Sequence, residues 1–197
     1  MKTFTTILLV VLCCAGLSRT VRAQTYTLSV SIAADPVDLE GVADPVSFGA
    51  GEFGQTLLSN LPQGQPRSTV HNRGYATIDY TVAAHISEGA WSLGSSAGLN
   101  TAVLFAIFTR PLRPSEDAAS GKTLTAGDFG PEDRLSATPL LATATVLAQN
   151  SETDPNFKGY NALSIQSYRS LRYRLDLPTG GGTDPQTIVV VIGAVVR

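Results

Sequence analysis

Cysteine is almost missing from this 197-residue chain, and its position matters more than its count. The two cysteines, Cys13 and Cys14, stand side by side in an apolar segment near the start, and none follows. Histidine occurs twice and tryptophan once, so there is little from which to build a zinc centre or a thiolate nucleophile. No apolar run approaches the roughly 20 residues that a membrane-spanning helix needs. No stretch shows the helical period with caps at both ends. These absences leave a chain that must fold by burying strands.

What is present at the start reads as a secretory leader over residues 1–23. Lys2 supplies the positive charge, Ile7 to Leu17 the short apolar core, and Val21-Arg22-Ala23 the small-residue exit. A lipid anchor on Cys13 or Cys14 fits poorly, because Leu12 and Cys13 are the residues in front of them. Cleavage after Ala23 removes both cysteines together with Lys2, Arg19 and Arg22. The mature chain, residues 24–197, then sets eleven basic residues against sixteen acidic ones, a net charge of −5. It has no disulfide, no membrane span and no basic face for nucleic acid. The expected location is secreted or at the cell surface, with the periplasm equally compatible.

Period-two alternation dominates the mature chain. Tyr26, Leu28, Val30 and Ile32 alternate with polar residues, as in a half-buried strand. A loop with Asp35-Pro36, Gly41 and Asp44-Pro45 follows, then short strands at Val46–Gly49, Gln55–Leu61 and Arg67–Asn72. Tyr75 to Ile86 puts Ile78, Tyr80, Val82, Ala84 and Ile86 on one face. Thr101 to Thr109 is apolar on both faces, which implies a central strand covered on both sides. A long irregular stretch spans 110–138. Strands are expected again at Pro139–Gln149, from Ala162 to Ser167, around Leu171 to Leu177, and at Thr187–Val196. Eight to ten short strands with Gly and Pro turns predict a single all-β domain, a two-sheet antiparallel β-sandwich with Ig-like topology.

The order of landmarks resembles secreted bacterial Ig-like domains of cell-surface proteins. The resemblance is carried by the turn His71-Asn72-Arg73-Gly74, the strand Asp79-Tyr80-Thr81-Val82, the lone Trp91, the strand Asn100–Phe108, the strand Leu171–Thr179 and the final strand after Gln186. Arg172-Tyr173-Arg174 departs from it where a tryptophan is expected. The resemblance implies a structural rather than a catalytic role.

Several residues invite a chemical reading. Gly94-Ser95-Ser96-Ala97-Gly98 matches the nucleophile elbow of serine hydrolases, but His71 and His85 both precede Ser96 and a strand follows it. A flexible turn accounts for the motif better. His71 and His85 lack metal-ligand spacing. Asp35, Asp38, Glu40 and Asp44 cluster as calcium ligands do, yet Pro36 and Pro45 favour an ordinary exposed loop. Trp91 and Tyr80, with Tyr75, are the candidate ligand-binding residues, as a stacking platform for sugars; the competing reading puts them in the core. Arg169, Arg172 and Arg174 form a basic stripe with Asp176, read as a solvated face of mixed charge.

No catalytic set, metal or cofactor is expected. The sequence favours an exported, non-enzymatic structural or assembly protein, a filament or sheath subunit that meets copies of itself through β-strand pairing or meets other cell-surface components. A carbohydrate-binding module is the alternative, and a hydrolase using Ser96 a distant third.

Overall fold

The computed structural model describes residues 26–32, 39–43, 46–49, 51–59, 68–74, 76–109, 124–148, 161–162 and 168–196. The leader, Asp35, Asp38, Asp44, Tyr75 and residues 110–123 lie outside the described residues.

Twelve strands are described: β1 Tyr26–Ile32, β2 Leu39–Ala43, β3 Val46–Gly49, β4 Thr56–Leu58, β5 Ser68–Asn72 and β6 Ile78–Glu88. They continue with β7 Ser92–Leu93, β8 Thr101–Thr109, β9 Leu140–Leu141, β10 Asn161–Ala162, β11 Tyr168–Asp176 and β12 Gln186–Val196. One sheet runs β10-β6-β12-β1-β3, with β9 also on β6; the other runs β2-β5-β11-β8-β7, with β4 also on β11. The expected two-sheet β-sandwich is what forms. An Ig domain keeps its last two strands in one sheet. Here β11 and β12 lie in opposite sheets.

The alternating residues seal the interior. Ile78, Tyr80, Val82 and Ala84 of β6 and Ile188, Val190 and Ile192 of β12 meet Leu104, Ala106 and Phe108 of β8 and Leu171, Tyr173 and Leu175 of β11. Tyr80 stacks on Phe108 across this core, ring centroids 5.0 Å apart. The two-faced apolar pattern of β8 has the expected cause. Val103, Phe105 and Ile107 face outward and are covered by Leu124 and Phe129, with Leu58 and Ala97 packed against them.

That cover belongs to the stretch expected to be irregular. From Leu124 onward it is ordered by two 3-10 turns, Ala126–Asp128 and Pro131–Asp133. Each turn is closed by its own aspartate: Asp128 accepts the N–H of Thr125 at 2.8 Å, and Asp133 that of Gly130 at 2.7 Å.

Pro139 to Gln149 is not one strand, which corrects the alternation read there. Only Leu140–Leu141 pairs with β6, opposite Val82 and Thr81. Thr143 Oγ1 then accepts the N–H groups of Thr145 and Val146, and Leu147 adopts a φ of +56°, so local turn chemistry overrides the pattern. Residues 134–148 instead form a strap across the side of the sandwich. Leu135 donates to Leu104 O at 2.8 Å, Ala142 to Tyr80 O at 2.9 Å, and Leu147 O accepts from Phe108 N at 2.9 Å. β2 falls within the expected loop between the two Asp-Pro pairs; it pairs with β5 over five positions.

The first and last described strands run side by side. β1 is parallel to β12 in unbroken register from Tyr26 opposite Gln186 to Ile32 opposite Ile192. β12 is therefore an interior strand, with β6 antiparallel on its other side.

Candidate functional site

Four turns converge at the end of the sandwich where β1 and β12 begin: residues 51–55, 89–91, 94–100 and 177–185. Trp91 organises them. The residue is 5% exposed, its indole Nε1 donates to Gly182 O at 3.0 Å, and its backbone N–H donates to the Gln186 carboxamide at 3.0 Å. Asn100 Oδ1 accepts from Gly182 N at 2.7 Å, and Asn100 N donates to Gly180 O. Gly181 sits at φ +127°, and any Cβ there would collide with the Asn100 carboxamide. This end is a tightly hydrogen-bonded cap.

The stacking platform is not formed by the residues expected to form it. Tyr80 is fully buried under Phe108, and burial pushes its phenol up to about 12, with the Arg169 charge opposing the rise. Trp91 is held edge and backbone by the cap. Both rings are core, because strand alternation turns Tyr80 inward and the turn at Gly89–Ala90 folds Trp91 beneath it. The large apolar side chains exposed at this end are instead Phe53 and Leu99, at 43% and 74%. They flank one turn, since Gly54 donates to Pro178 O and Thr179 to Gly98 O. No sequence pattern singles them out.

The Gly94–Gly98 segment is an exposed turn that leads into β8, so it lacks the helix of a nucleophile elbow. Arg134 fastens it, donating to Ser95 O at 3.2 Å. His71 lies on β5 toward the opposite end, and His85 is exposed on β6. The structure does not gather these residues with Ser96. Among the described residues, no group of three or more His, Cys, Asp or Glu side chains is arranged to hold a metal ion.

The arginine stripe is not a solvated face. Arg169 and Arg172 are buried, and Arg172 Nη1 donates to Ser59 O at 3.4 Å. Arg174 pairs with Asp176 through Nε at 2.9 Å and Nη2 at 2.8 Å, donates Nη1 to Ala126 O, and lies 4.7 Å above the Phe105 ring. It clamps the 124–130 cover onto β8. The two-faced apolar pattern of β8 implied such a cover, but no sequence signal tied Arg174 to it.

Asp133 is a carboxyl group with a strongly perturbed environment. It is fully buried, and burial raises it to about 6 against the pull of its backbone N–H donors. Its partners are Gly130 N and Leu147 N, so it ties the strap rather than facing a cleft.

No family model matches this chain, and no curated protein matches it.

Proposed function

We propose that this chain is an exported, non-enzymatic β-sandwich that serves as a structural or assembly unit of the cell surface, singly or as the repeating subunit of a filament or sheath. The observation that carries this reading is the parallel pairing of β1 with β12. β1 begins at the Trp91 cap and β12 finishes at the far end, about 35 Å away at roughly 3.4 Å per residue. A unit entered at one end and left at the other suits linear arrays. Buried polar side chains such as Asp133 and Arg172 tie loops to the sandwich, which suits a mechanically robust module.

The test is negative-stain microscopy and light scattering of the mature protein, residues 24–197. Ordered linear particles are expected. A strictly monomeric protein that binds defined glycans would overturn the reading.

The second reading, a carbohydrate-binding module, draws on Phe53, whose exposed ring offers an aromatic face to a sugar. Glycan-array binding lost in Phe53→Ser would favour it.

A further inference from the structure

We infer that copies of this chain join by exchanging β1, so that β1 of one copy lies between β12 and β3 of the next in the register it holds within a single chain. The inference rests on the assembly reading above and names the strand through which it would work.

Addition at the sheet margins is poorly served. Among the described residues the marginal strands are short: β2 has five residues, β3 four, and β7, β9 and β10 two each. Short edges are the usual protection against strand addition. The longer strands β6, β8, β11 and β12 are interior or flanked by the 134–148 strap.

β1 is different. All seven of its residues pair with β12, whereas its register with β3 covers only Tyr26 to Leu28 and is irregular between Tyr26 and Thr27. Its place in the sheet is set chiefly by β12, and Leu28 is fully buried in the core. The facing run Thr187 to Ile192 is β-branched at every position and would be an aggregation-prone edge if left bare. That socket must always be filled.

Filling it from a second copy restores the same hydrogen bonds and the same Leu28 contacts. The balance between the two arrangements is then governed by concentration and by the connection to β2. With the leader cut after Ala23, only Gln24 and Thr25 precede β1, so no folded part has to be threaded. Exchange that runs head to tail, with a rotation that does not bring the last copy back to the first, yields an open chain; reciprocal exchange closes as a dimer.

The mature protein lacks cysteine, which makes the test clean. Ser29 and Val189 are register partners, as are Thr27 and Thr187. The double variants Ser29→Cys/Val189→Cys and Thr27→Cys/Thr187→Cys are oxidised after assembly and run on non-reducing gels. A ladder of covalent oligomers that collapses to monomer on reduction is the expected result. Assembled wild-type protein whose variants cross-link only within single chains would overturn the exchange and leave the assembly reading standing. A wild-type chain that stays monomeric at all concentrations would overturn both. The second pair covers the case in which the first disturbs folding.

Discussion

Asp133 accepts the backbone N–H of Leu147 at 2.6 Å through one carboxylate oxygen while the other accepts that of Gly130 at 2.7 Å. One buried side chain thus holds the front of the strap to its rear and fixes Leu147 in the left-handed region, at φ +56°. Few leucines adopt that conformation without such a tether.

Replacing Asp133 with alanine strands two buried N–H groups. Each costs about 1–3 kcal/mol when left unsatisfied, so Asp133→Ala should lower stability by about 2–6 kcal/mol. Urea denaturation checks this, and hydrogen exchange should speed up first at Leu135, Ala142 and Leu147.

The same carboxyl group makes stability depend on pH. Its folded value, about 6, lies above the unfolded value near 4, so the folded state holds the proton more tightly. The contribution is complete below about pH 4 and is lost as pH rises through about 6, by at most about 3 kcal/mol. Asp133→Ala should flatten this part of the profile. A stability difference between pH 4 and pH 7 that is equal in wild type and variant would assign the effect to other groups.

Two buried tyrosines should respond oppositely to loss of their hydroxyls. Tyr173 O–H donates to Ser68 Oγ at 3.1 Å, whereas the Tyr80 hydroxyl has no hydrogen-bond partner among the described residues. Tyr173→Phe should cost about 1 kcal/mol, and Tyr80→Phe should be neutral or stabilising. Thermal denaturation of the two variants side by side decides it.

The cap can be read through its one tryptophan. Folded protein should show the blue-shifted emission of a buried indole. Trp91→Phe, which removes the bond to Gly182 O, should cost about 1–2 kcal/mol. Gly181→Ala should cost as much or more, because the new Cβ meets Asn100 at a φ of +127°. Sugars that bind at Phe53 should leave the Trp91 emission maximum unmoved.

The architecture was legible because burial writes itself into alternation. β6, β8, β11 and β12 fall where Tyr80, Phe105, Tyr173 and Val190 imply, and the two-faced pattern of β8 foretold a cover. The partners were not legible. That Leu124 and Phe129 supply the cover, or that Asp133 ties Leu147, depends on turns whose residues carry no period. Alternation also misled at Leu140–Leu147, where the Thr143 side chain satisfies two backbone N–H groups within the turn. The aromatic platform failed for a related reason: Tyr80 and Trp91 have the chemistry for a sugar face, but their positions turn them inward.

The interior place of β12 bears on when the chain can fold. β6 and β1 both need it as a neighbour, yet it follows every other described strand in the sequence. During synthesis that sheet stays unfinished until its last strand emerges, and the pairings that complete it span most of the chain, which makes folding slow. A polypeptide with this order of strands stays pliable while it is being made, and stiffens only once β12 has slotted between β6 and β1.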